Sequence, residues 1–272
     1  MTSLSTSGMS TVPPAATLTL DGDWSNTGVI NAANATVNRG GTFTVADIGT
    51  FNRTGGTVNL TGTLDNTGTT LTLDATTGDW QLNGGTILGG EVIATAEAQL
   101  LIASNGNNRL AGVMVNGDIE MSVNGAKLLV EGGLTLNGTI TLSGTSAVLG
   151  FLDTQTFDSG TVVLSGLSAW LGLEGSGTLT LGPNVTVRGG NNGGISSSFF
   201  IGGSTSTLIN RGRITADITN RTLSIFHSRL NNNFINEGTI EATNNATLTI
   251  NGSNFTNNGT IQESNGGQVI VN

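Results

Sequence analysis

Cysteine and tyrosine are absent from this 272-residue chain, histidine occurs once, proline three times, and only 10% of residues are charged. Each shortage removes a class of protein. Without cysteine, neither disulfides nor thiolate metal centres can hold the chain together, which excludes a disulfide-stapled minidomain but not secretion. Nine basic residues against eighteen acids, a net charge of −9, cannot supply the clustered positive charge that displaces counterions from duplex DNA or RNA. No nucleic-acid partner is therefore expected. No run of roughly 18 apolar residues exists, so neither a transmembrane helix nor membrane insertion is expected. The N-terminus, MTSLSTSGMSTVPPAATLTL, lacks the basic and long apolar regions of a secretory signal. It reads as a flexible polar arm over residues 1–16, passing through Pro13-Pro14.

What is abundant is glycine, 42 residues, with threonine and asparagine almost as common. That composition disfavours a helical bundle, which needs Ala, Leu, Glu and Lys. Apolar residues still make up 36% of the chain and recur regularly, unlike those of a disordered polymer. From Thr17 onward, short segments of period 2 alternate with Gly, Asn and Asp. Thr17-Leu18-Thr19-Leu20, Thr57-Val58-Asn59-Leu60, Thr139-Ile140-Thr141-Leu142 and Thr247-Leu248-Thr249-Ile250 are examples. Each reads as a half-buried strand followed by a corner. Even Glu91 to Ala103, the nearest thing to a helical stretch, reads as two strands.

A degenerate repeat organises these strands. Phe234-Ile235-Asn236-Glu237-Gly238-Thr239-Ile240 recurs as Phe255-Thr256-Asn257-Asn258-Gly259-Thr260-Ile261. Earlier copies are Leu208-Ile209-Asn210-Arg211-Gly212-Arg213-Ile214 and Trp24-Ser25-Asn26-Thr27-Gly28-Val29-Ile30, with looser ones around Asn52, Asn83 and Asn137. A period of about 20–26 residues with Gly and Asn at corners is the mark of a β-solenoid coil of three short strands. The fold class is therefore all-β, a single-stranded parallel β-helix over residues 17–272, with roughly eleven to thirteen coils and a height of about 50–60 Å. Aromatics at 4% are too few for a β-sandwich, and the period is too short for a propeller. The motif asparagines are expected either to form an amide ladder at a corner or to serve as exposed turn residues. Between Ser143 and Gly194 the apolar runs become denser. Asn191-Asn192-Gly193-Gly194 and the following Ser196-Ser197-Ser198-Phe199-Phe200 suggest a loop leaving the coil.

The segments LTLNGTITLSG, SGTLTLGPNVTVRGG, LINRGRITAD and FINEGTIEATNNATLTING resemble the repeat region of large bacterial surface proteins. These are the β-helical adhesin-like exoproteins in the style of filamentous haemagglutinin and autotransporter passengers. The resemblance runs from about Thr17 to the C-terminus and implies a fold and an extracellular or cell-surface setting. It carries over no catalytic residues.

Chemistry-bearing residues are sparse. His227 stands alone, too little for a zinc site or a Ser/His/Asp triad. Paired carboxylates are the better enzymatic option, since glycoside hydrolysis needs two carboxyl groups about 5–9.5 Å apart. Asp21 with Asp23, Asp74 with Asp79, Asp118 with Glu120, and Asp153 with Asp158 are the candidates; the plainer reading makes them solvated turn and strand-surface acids. Asp21-Gly22-Asp23 lacks the remaining ligands of a calcium loop. Trp24, Trp80 and Trp170 would stack on sugars if exposed, and otherwise cover the interior or a corner. Thr17/Thr19, Thr70/Thr72 and Thr178/Thr180 would form an ice-binding array only if aligned on one face. Asn34-Ala35-Thr36 and Asn258-Gly259-Thr260 resemble glycosylation sequons, which arise by chance in a chain so rich in Asn and Thr.

These readings assign no catalytic, cofactor-binding or metal-binding residue and imply no cofactor. They point to a non-enzymatic, extracellular structural or adhesive β-solenoid, either stacking end to end with copies of itself into filaments or forming the stalk of a surface layer or matrix. Its further partners would be surface glycans or other cells. The alternatives are a polysaccharide-degrading, phage-tailspike-like β-helix enzyme and an ice-binding protein.

Overall fold

Residues whose apolar side chains alternate with Thr, Asn or Ser can bury one face and leave the other wet, and a coil of three such strands closes around its own apolar face. The computed structural model of the chain describes residues 4–197, 199–201, 205–226, 232–252 and 254–272. It is a parallel β-solenoid of about 12 turns, with 59% of residues in strands and 2% in helix.

Three parallel sheets run along the coil axis. The third is continuous from Thr17–Leu20 through Thr36–Arg39, Thr57–Leu60 and Trp80–Leu82 to Thr260–Glu263. The first runs from Thr42–Thr44 through Thr63–Asp65 and Thr86–Leu88 to Gln268–Val271. The second is divided: Met9–Val12, Val29–Ala33 and Thr50–Thr54 form one piece, and a second piece begins at Thr70–Leu73 and ends at Asn254–Asn257. Coil length varies, since Thr17 sits beside Thr36 whereas Thr186 sits beside Arg213.

The interior is a stack of like on like. Phe43, Leu64, Ile87, Leu110, Val130, Phe151 and Leu173 follow one another in register up the first sheet, and all are buried. Burying each such side chain contributes about 1.5–3 kcal/mol.

The motif glycine has a steric cause. A Cβ on Gly238 would lie 2.2 Å from the carbonyl oxygen of Gly212, and one on Gly259 would lie 2.2 Å from that of Gly238. Only glycine lets consecutive coils approach so closely at this corner.

The motif asparagine, by contrast, serves two different corners. Asn210, Asn236 and Asn257 sit where the second sheet turns into the third, while Asn26 sits where the first turns into the second. Asn26 donates to the Ile48 and Thr50 carbonyls of the next coil. Asn210 donates to Asn236 Oδ1, and Asn236 to Asn257 Oδ1. The amide ladder is thus present. Around the loose copies the asparagines bond on the outside instead, as Asn52 does to Asn31 and Asn137 to Asn116.

Three segments depart from the sequence reading. The first coil begins inside the stretch read as an arm: Leu4–Thr6 pairs with Trp24–Asn26, and Met9–Val12 pairs with Val29–Ala33, turning Val12 inward. A polar strand is accepted there because it satisfies the backbone edge of the coil above. Gly193–Ser197, read as the start of a loop, is a strand in register with Trp170–Glu174. Finally, Val45–Ile48 forms one helical turn, closed by a reciprocal capping box between Thr44 and Asp47.

Candidate functional site

The carboxylates proposed as pairs serve turns and strand edges. Asp21 accepts from the Gly22 amide, and Asp23 contributes its backbone to a bridge with Thr42. Asp74 accepts from the Thr76 and Thr77 amides at 2.8 and 3.0 Å, and these bonds, that from Thr77 foremost, hold its carboxyl below the usual range. Asp79 accepts from the Gln99 amide of the next coil. Asp118 accepts from the Thr139 amide and Glu120 from the Ser143 hydroxyl, again one coil on. Asp153 occupies a left-handed corner (φ 59°), and Asp158 lies at the irregularity between Phe157 and Ser159. Asp65, not singled out from sequence, is likewise held low by hydrogen bonds from the Thr67 hydroxyl and amide. Among the described residues, no group of three or more His, Cys, Asp or Glu side chains comes together to hold a metal ion. His227 lies outside the described residues.

Trp24 and Trp80 are buried, Trp24 donating from Nε1 to the Gly40 carbonyl. Trp170 is half-buried, with its ring centroid 5.6 Å from that of Phe199. The threonine pairs do not make one array: Thr17/Thr19 belong to the third sheet, Thr70/Thr72 and Thr178/Thr180 to the second.

Two arrangements that sequence reasoning missed are more informative. On the outside of the first sheet, Gly150 and Gly172 are neighbours in register and leave a smooth seat. A Cβ at Gly150 would lie 2.9 Å from the Phe200 ring, and one at Gly172 would lie 3.0 Å from Phe199. The rings cover this seat because Glu174, only 1% exposed, accepts from three consecutive amides, those of Phe199, Phe200 and Ile201, at 2.8–2.9 Å. One buried carboxylate therefore staples a segment onto the outer face, and Lys127 stands 5.4 Å over the Phe200 ring.

The second arrangement lies at the division of the second sheet. Thr50–Thr54 and Thr70–Leu73 occupy successive coils without pairing. Arg53 stitches this seam by donating to the Gly55 and Gly56 carbonyls on its own coil and to the Thr77 and Asp79 carbonyls on the next. Behind the seam is a cavity of about 280 Å³, walled by Val45, Ile48, Phe51, Leu71 and Trp80 and bounded by Thr70, Thr72 and Thr77.

Arg39 lines the same cavity and is its one ionisable residue. In the third sheet it stands between Leu20 and Leu60, at a position that faces the interior. It is 2% exposed, and its guanidinium is clamped between the rings of Phe51 and Trp80, at 4.3 and 4.2 Å from their centroids. Nη1 has no hydrogen-bond acceptor, and neither has Nε1 of Trp80. Burial foremost, and then the charge of Arg53, pushes Arg39 down to about 9. The sequence signal was present in the alignment of Thr36-Val37-Asn38-Arg39 with Thr17-Leu18-Thr19-Leu20 and Thr57-Val58-Asn59-Leu60, which sets an arginine in a leucine position.

Comparison of the chain with protein-family models, with curated proteins and with solved structures finds no match.

Proposed function

We propose that this chain is an extracellular structural and adhesive β-solenoid, a stiff rod that associates head to tail with further copies of itself. The observation that carries the reading is the third sheet, which continues without interruption from Thr17–Leu20 to Thr260–Glu263. A ladder so continuous resists bending, and at about 4.8 Å per coil its rod would be roughly 58 Å long. Stacked identical residues such as Thr17, Thr36 and Thr57 give the outside a repetitive hydroxyl and amide surface, suited to surface glycans or to another cell's surface. Lys and Arg total only nine, so sites for a trypsin-like protease are few, and inter-coil ion pairs such as Arg188 with Asp217 and Arg211 with Glu237 engage some of them.

The coil ending at Val271 presents an edge that a further coil, of another copy or of a longer polypeptide, would cover. Ile250 is 0% exposed, whereas its register partner Val271 is 53% exposed, and Ile261 and Ile270 are exposed beside it. A parallel edge of this kind accepts the matching edge of another copy, and because the two edges differ the contact repeats without closing. Electron microscopy of the purified chain, with light scattering over rising concentration, tests the reading. Rods several times the length of one chain are expected, and Val271→Pro, which removes an amide that faces the open edge between the inward-bonded Gln268 and Asn272 positions, should shorten them. Only single-chain particles at every concentration would overturn it.

A further inference from the structure

The seam cavity holds a chemical mismatch that the scaffold reading does not need. A solenoid interior is stable with leucine at the Arg39 position, as the flanking Leu20 and Leu60 demonstrate. Arginine there takes a full charge out of water, and among the described residues no carboxylate forms an ion pair with it. Such a burial is costly unless the charge is paired and its donors satisfied. Two donors, Arg39 Nη1 and Trp80 Nε1, stay unsatisfied and sealed just behind the lining of one apolar-walled cavity that both residues border, so a ligand reaches them by a small shift of the lining side chains. Guanidinium stacking on Phe51 and Trp80 fixes the plane of the donors and leaves its edge for an acceptor.

We propose that this cavity is a binding site for a small organic carboxylate, whose two oxygens take the donors of Arg39 and Trp80 while its apolar body rests on Val45, Ile48, Phe51 and Leu71. The size suits a ligand smaller than a drug, since about 280 Å³ falls just below the roughly 300–1,000 Å³ of pockets that bury drug-sized ligands. The walls specify the rest: an apolar lining favours a ring or short alkyl chain over a sugar acid, and the lone cation favours a single negative charge. The seam is the entrance, and the Arg53 bonds to Thr77 and Asp79 hold its far side in place. This inference is independent of whether the rod assembles into filaments.

The test uses the intact chain with benzoate and hexanoate as probes and with benzyl alcohol, chloride and phosphate as controls. Titration calorimetry and thermal denaturation should give saturable binding of both carboxylates and a rise in melting temperature, with no comparable effect from the neutral alcohol or the inorganic ions. Arg39→Leu completes the leucine column, so it should fold with an unliganded melting temperature at or above that of the wild type and bind the carboxylates at least 30-fold more weakly. Trp80→Phe keeps the aromatic clamp but removes the second donor, and should weaken binding several-fold. Failure of both carboxylates to saturate, equal response to chloride or phosphate, or unchanged binding by Arg39→Leu would each overturn the proposal.

Discussion

Asn210 donates a 2.8 Å hydrogen bond to the side chain of Asn236 one coil later, and neither residue has any exposed surface. Asn236 passes the pattern on to Asn257 and also donates to the Thr260 carbonyl. In an apolar interior such an amide specifies register, because a slip of one coil or one residue would orphan several donors together. Asn236→Ala should therefore destabilise the chain by about 1–3 kcal/mol, the cost of buried polar groups left alone. Asn257→Ala, at an exposed link of the same ladder, should cost well under half as much. Urea unfolding of the two variants side by side checks the ranking; equal losses would show that the ladder contributes no more than a surface turn.

Glu174 holds Phe199, Phe200 and Ile201 by three backbone amides, and that number makes it a sensitive point. Glutamine has the same shape but turns an NH₂ group toward amides that are themselves donors. Hydrogen bonds to a charged group contribute about 1.5–3 kcal/mol each, so Glu174→Gln should release the segment locally while the coils beneath stay folded. Limited digestion with chymotrypsin should cleave after Phe199 or Phe200 in the variant at least tenfold faster than in the wild type. Far-ultraviolet circular dichroism should be unchanged. Equal cleavage rates would mean that the phenyl rings on Gly150 and Gly172 hold the segment without the carboxylate.

The coil architecture was legible because a solenoid repeats its constraints. The Gly238 contact with Gly212 and the Asn236 contact with Asn210 recur in the following coil at Gly259 and Asn257, and so they appear as a motif. Features that occur once were harder to read. Nothing repeats Val45–Ile48, whose Thr44 and Asp47 capping box is a local signal within an otherwise β-rich stretch. The strand Met9–Val12 was hidden because its residues are mostly polar, and its pairing depends on the neighbouring coil's open edge. Glu174 looked like one acid among eighteen; its role follows from a segment some two dozen residues away folding over it. Arg39 was readable as an exception to the pattern once the three aligned segments were compared. Its aromatic clamp was not, since Phe51 and Trp80 reach it from other coils.

The buried guanidinium also fixes a pH dependence whose sign can be worked out. Desolvation lowers Arg39 from the ordinary arginine value to about 9 in the folded chain, with the charge of Arg53 adding to the effect, while the unfolded chain keeps the ordinary value. Below about 9 both states bind the proton, and the folded state carries the full cost of the buried charge. Between about 9 and the ordinary arginine value the unfolded state binds more protons than the folded one, so this residue's contribution makes stability rise with pH. Arg39→Leu lacks that contribution. At pH 7 without ligand it should be the more stable protein, by about 1–4 kcal/mol on the scale of buried ions replaced by apolar side chains. Raising the pH from 7 to 10 should narrow the difference in urea midpoint between the two proteins, whatever the other groups do in common. A gap that stays constant or widens would mean that Arg39 keeps its proton in the folded chain beyond pH 10, so that burial does not lower it as far as about 9.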